Sequence, residues 1–149
     1  MTEYIHKRHH VNMMLYYVVC PTKFRKVVVD RQVDHILKET CIQIQNRYDI
    51  HFVEIGTDLN HVHFLIQSIP TFLPSRFVQI IKSITAREVF SQLPQLKIKM
   101  WGSSFWSAGY YISTVGKNGN EKVIANYVKS QGKQNKYQQL HRDQISLFD

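Results

Sequence analysis

In the stretch NHVHFLIQSIP, Asn60 to Pro70, two histidines flank a single valine. Val62, Phe64 and Ile66 alternate there with His61, His63 and Leu65, the pattern of a strand whose successive side chains point to opposite faces. One face is apolar and the other carries both imidazoles, so two ring nitrogens projected from i and i+2 can converge on one cation. The pair alone is a weak signal: with eight His in 149 residues, one His-x-His arises by chance roughly 0.4 times. A solvated or hydrogen-bonded histidine pair is the competing reading. A second constellation lies near the C-terminus, where Tyr127 and Gln131 are four apart and share one face of a helix about one turn from each other. Tyrosine at helical spacing is more often core. Beside two imidazoles, however, the set would bind a divalent cation through His, His and Gln and aim a phenol hydroxyl at a phosphate held by the metal.

These residues need elements to carry them. NMMLYYVVC, Asn12 to Cys20, is rich in aromatic and β-branched residues and is expected to be a strand stopped by Pro21. After Asp30, a suitable N-cap, Val33, Ile36, Leu37, Cys41, Ile44 and Tyr48 follow helical spacing. DIHFVEIG and HVHFLIQ are two strands joined by the turn-like TDLN, so the histidines sit on the second strand of a hairpin. A second helix follows PTFLPS with Phe77, Ile80, Ile81 and Ile84 on one stripe. Ala108 to Gly116 is expected as a fourth strand. After the Gly-containing loop GKNGN, a last helix runs from about Asn120 to Gln131, with Gly132 at its C-terminal cap. The order β-α-β-β-α-β plus a final helix predicts an α+β, ferredoxin-like (RRM-like) antiparallel sheet, both crossover helices on one face. Val62, Phe64 and Ile66 then pack under the helices, and His61 and His63 stand on the uncovered face.

At this length a single domain over residues 1–149 is expected, large enough to bury a core without disulfides or structural metal. Cys20 and Cys41 have no zinc-ligand spacing and read as reduced, buried residues. No apolar run approaches a membrane span and the first residues lack a signal-peptide pattern, so the expectation is a soluble, cytoplasmic protein. The formal charge of +8, from 19 Lys+Arg against 11 Asp+Glu, favours a polyanionic partner, nucleic acid first. Lys7, Arg8, Lys23, Arg25, Lys26, Lys82, Arg87, Lys97 and Lys99 are candidates to line phosphates, with Trp101, Phe105 or Trp106 to stack bases. The alternatives are an ordinary solvated surface for the charges and core packing for the aromatics.

Taken together, YYVVCPTKFRKVV (Tyr16 to Val28), HVHFLIQ, FWSAGYYISTVG (Phe105 to Gly116) and NYVKSQ (Asn126 to Gln131) resemble the single-tyrosine HUH transposases of small insertion sequences, the IS-two-hundred family. His61-Val62-His63 matches the family's His-hydrophobic-His motif, Tyr127 its nucleophile and Gln131 its third metal ligand. The N-terminal MTEYIHKRHH is less family-like. The resemblance implies a metal-dependent endonuclease and strand transferase for single-stranded DNA, using Mg2+ or Mn2+ and forming a 5′-phosphotyrosine intermediate. It also implies recognition of DNA hairpins at the element's ends and a homodimer whose active sites are shared between subunits.

Three other readings are weaker. A histidine-triad nucleotide hydrolase wants a third His where Leu65 stands. A non-catalytic RNA-binding or single-strand-binding module on the same sheet needs an aromatic signature on the central strands that is absent. A domesticated HUH nuclease acting on repeated palindromes differs from a mobile element's enzyme only in genomic context.

Overall fold

The computed structural model describes residues 13–102 and 104–115. Within them β1 (Met14–Pro21), a 3-10 turn (Lys23–Arg25), α1 (Arg31–Arg47), β2 (Ile50–Asp58), β3 (His61–Ser68), α2 (Pro74–Gln92), α3 (Pro94–Lys99) and β4 (Tyr111–Thr114) follow in that order. The strands form one sheet in the order β2-β3-β1-β4, and every neighbouring pair is antiparallel. This is the ferredoxin-like arrangement that the element order predicts.

Each element has a local cause. Asp30 caps α1 by accepting a hydrogen bond from the Val33 N–H at 2.9 Å. Val33, Ile36, Leu37, Cys41 and Ile44 bury the inner stripe of α1. β2 and β3 are joined by a two-residue tip, Leu59 and Asn60, between the paired Asp58 and His61. Val62, Phe64 and Ile66 are fully buried in one cluster with Val33 and Ile44 of α1 and Phe77 and Ile81 of α2, so the apolar face of β3 lies under the helices as expected. Among the described residues no helix is long and apolar enough to cross a membrane.

Four expectations are corrected in detail. β1 runs one residue further than expected, through Pro21: a proline at a strand end forfeits no ladder bond that matters, and its carbonyl accepts from the Ser107 N–H at 2.9 Å. The buried stripe of α2 is Phe77, Val78, Ile81, Thr85 and Val89, with Ile80 and Ile84 only partly buried. Thr85 enters the core because its hydroxyl donates to the Ile81 carbonyl at 2.6 Å and accepts from the Trp106 indole N–H at 2.9 Å. β4 is shorter than Ala108 to Gly116, since the carbonyls of Ser107, Ala108 and Gly109 are taken by the Lys82 ammonium. The short helix α3 was not expected, because six residues carry too little periodicity to read. The expected last helix, and with it Tyr127 and Gln131, lies outside the described residues, as do Lys7 and Arg8.

Candidate active site around the histidine pair

The ladder puts Pro21 of β1 and Asp58 of β2 opposite His61, and Val19 and Gly56 opposite His63. Both imidazoles therefore stand on the sheet face turned away from the helices. That face is less bare than expected: His61 is 6% and His63 8% exposed. The same face carries a small apolar cluster of Leu15 and Leu65 with Tyr17, Val53 and Val115 packed against it. Tyr17 places its ring 6.1 Å from that of His63.

Gly56 makes the slot in which His63 lies. A Cβ built on Gly56 would fall 1.9 Å from His63 Nε2 and 2.4 Å from Cε1, so no other residue fits there with the ring in place. For His61, Nδ1 lies 3.1 Å from Asn60 Oδ1 and Nε2 lies 3.9 Å from Asp58 Oδ2. With its proton on Nδ1 the ring donates to Asn60, and Nε2 becomes the electron-pair donor, the arrangement by which neighbours orient metal-binding histidines.

The electrostatics keep both rings neutral. Burial, and after it the neighbouring His61, hold the His63 pKa down to about 4, with Asp58 acting the other way. Burial also lowers His61, which Asp58 pulls up and Arg25 pushes down. Near neutral pH two uncharged imidazoles face one side of one strand, the protonation state a cation requires of its ligands. Among the described residues no group of three His, Cys, Asp or Glu could hold a metal ion. Two imidazoles suit a divalent cation of the manganese type better than one that demands oxygen alone.

The other candidates separate. Lys82 is not a free phosphate ligand: its Nζ donates to the carbonyls of Ser107 at 2.7 Å, Ala108 at 3.2 Å and Gly109 at 3.0 Å. Phe105 and Trp106 are buried at 0% and 4%, so core packing claims both. Lys97, Lys99 and Arg87 are exposed. Lys26 holds its ammonium 3.9 Å from the Trp101 ring centroid, and Lys23 lies 5.4 Å from that of Phe24. Gly56, Asn60, Asp58 and Phe24 were missed by the sequence reading. For Asn60 and Asp58 the signal was their position beside His61; Gly56 shows itself only once strands are paired.

Residues 10–131 match the family described as IS200-like transposase, a stretch that includes Tyr127 and Gln131. The chain is 33% identical over 126 residues to the ISDra2 transposase TnpA of Deinococcus radiodurans, covering 83% of this chain and 88% of that protein. It is 29% identical over 125 residues to the transposase for insertion sequence element IS200 of Salmonella typhimurium, covering 81% of this chain and 78% of that one. A Deinococcus radiodurans crystal structure described as that of a transposase superposes with a TM-score of 0.68 at 28% identity, covering 85% of this chain and 96% of that one.

Proposed function

The chain belongs to the IS200-like transposase family, and from that premise we propose that it nicks and rejoins single-stranded DNA through Tyr127, with a divalent cation held by His61, His63 and Gln131. The observation that carries this reading is the buried, neutral pair of imidazoles on one strand face, seated by Gly56. When bound, Mg2+ or Mn2+ supplies Lewis-acid polarisation of the scissile phosphate and orients it for in-line attack. The Tyr127 oxygen gives up its proton and bonds to phosphorus while the P–O3′ bond breaks, and the departing 3′ oxygen takes a proton to become a hydroxyl. The product is a 5′-phosphotyrosine, so the bond energy is kept. A later 3′-hydroxyl reverses the step and joins new ends without an external energy source.

DNA hairpins at the ends of the element are the proposed substrates. Lys7, Arg8, Lys23, Arg25, Lys26, Arg87, Lys97 and Lys99 are the proposed phosphate contacts. A single domain over residues 1–149 that pairs into a homodimer with shared sites completes the proposal. The test is a denaturing gel of protein incubated with metal and single-stranded DNA from its own locus. Wild type forms a covalent protein–DNA adduct. Tyr127→Phe forms none while still binding hairpin DNA, because only the nucleophilic hydroxyl is lost. Robust adduct formation by Tyr127→Phe moves the nucleophile elsewhere.

A further inference from the structure

One surface outside the histidine pair is built in a way that the cleavage chemistry leaves unexplained. The chain leaving β1 turns sharply at Phe24 and Arg25, whose φ values are 58° and 52°, and Trp101, at the end of α3, has φ 60°. Among the described residues these are the non-glycine positions in the left-handed region, and Phe24 and Trp101 meet in one surface patch. Such backbone is unfavourable for bulky side chains and persists where the surroundings hold it. What it holds here is a pair of aromatic rings in water. Trp101 is 73% and Phe24 56% exposed, with ring centroids 5.5 Å apart and planes inclined at 50°. The Lys26 ammonium covers part of the indole from 3.9 Å, and Lys23 lies 5.4 Å from the Phe24 ring. The rest of the indole is open to solvent.

We propose that Phe24 and Trp101 form a stacking subsite for one unpaired nucleobase of the single strand, with Lys23 and Lys26 holding the phosphates beside it. This rests on the reading that the chain acts on single-stranded DNA. Every base has a π-face, so an exposed indole bound on one side by a cation takes any of them, and the lysines select a polyanion over an apolar peptide. A second copy of this chain is the wrong occupant: a two-fold contact over this patch would set Lys23 and Lys26 against their own equivalents.

The subsite is close enough to the histidines to serve the same strand. Thr22 is tied to the hairpin tip by its N–H, which donates to the Asn60 carbonyl at 3.0 Å, while its hydroxyl donates to the Lys26 carbonyl at 2.8 Å. Pro21 pairs directly with His61. Phe24 is three positions beyond Pro21, so its Cα lies at most about 16 Å from that of His61. At the roughly 3.4 Å rise of a stacked strand that is on the order of three to five nucleotides. The subsite thus anchors the strand a few nucleotides from the phosphate that is cut, and fixes its path across the site without reading its sequence.

The chain's two tryptophans make the test direct. Trp106 is 4% exposed and hydrogen-bonded to Thr85, so a change of emission on binding reports Trp101. Wild-type protein is titrated with a twelve-nucleotide oligothymidylate and with a strand of the same length whose central sugars carry no base. The thymidylate is expected to quench Trp101 emission, and the abasic strand to leave it unchanged. Trp101→Asn, which keeps a residue tolerant of left-handed backbone, is expected to melt at the wild-type temperature and to bind the thymidylate about tenfold more weakly, with an unaltered salt slope. Lys26→Met is expected to reduce the slope of log K against log salt by about 0.7. Binding of thymidylate by anisotropy without quenching, or wild-type affinity in Trp101→Asn, overturns the subsite and leaves the Tyr127 chemistry untouched. Quenching in a protein that never forms a phosphotyrosine adduct sustains the subsite and rejects the transferase mechanism instead.

Discussion

The His-x-His spacing was legible in the sequence because strand alternation acts between residues two apart, and that separation is written in the chain. Gly56 was not legible, because its partner is set by pairing across two strands. A bulge between Phe52 and Glu54 shifts the register of β2 by one residue. Had the pairing of Phe52 with Ile66 continued unbroken, His63 would face Ile55, whose side chain is far larger than the slot allows. The bulge brings Gly56 there instead. Gly56→Ala is therefore expected to push the imidazole off its position and to lower metal-dependent cleavage by on the order of a hundredfold, as ångström-scale misplacement does. Rates measured at saturating metal and DNA check this, and a wild-type rate in the variant sinks the slot's role. The same burial has a pH consequence. His63 has a pKa of about 4 in the folded chain against 6.5 when free. The unfolded chain therefore binds more protons between those values, and stability falls as pH drops from 6.5 towards 4. In metal-free protein, urea midpoints should decline over that window with an uptake approaching one proton from His63, and His63→Gln should flatten the slope. An unchanged slope in the variant assigns the proton uptake elsewhere.

Elements were read best where hydrophobic period and cap agree. Asp30 followed by the Val33, Ile36, Leu37, Cys41 and Ile44 stripe is such a case, and α1 starts where that pattern starts. Replacing Asp30 by Ala removes the acceptor of the Val33 N–H and is expected to cost about 1 kcal/mol in urea unfolding. Reading failed where one side chain overrides local preference. YYIST has the β-branched and aromatic composition of a longer strand, yet the backbone before it turns its carbonyls to Lys82 across 25 to 27 positions of sequence. No local window contains that contact. Lys82 accordingly belongs to the fold: Lys82→Met leaves three carbonyls without their charged donor and is expected to destabilise by about 2 kcal/mol. The salt dependence of DNA binding should stay at the wild-type slope, whereas loss of a true phosphate contact lowers it. A reduced slope with unchanged stability returns Lys82 to the DNA surface.

At the scale of the whole molecule the ferredoxin-like sheet was legible from the order of elements, since right-handed crossovers leave few topologies for β-α-β-β-α-β. Assembly is different, because a loop such as GKNGN, with two glycines before Tyr127, is compatible in sequence with a helix on its own sheet or on a neighbour's. The proposed homodimer uses the second arrangement: each site takes His61 and His63 from one subunit and Tyr127 with Gln131 from the other. Exchange of one element between identical subunits is a low-cost route to a two-fold dimer. A mixed dimer separates the two cases. One subunit carries His61→Ala and His63→Ala, and its partner carries Tyr127→Phe. With shared sites, one site combines intact histidines with an intact tyrosine and the other has lost both, so the heterodimer is expected to cut at about half the wild-type rate although each parent homodimer is inactive. If each subunit uses its own tyrosine, every site holds a lesion and the mixture stays inactive. Purification through two different affinity tags ensures that the measured species is the heterodimer. Inactivity of that species rejects the shared site, while the histidine pair and the tyrosine keep their proposed roles within one chain.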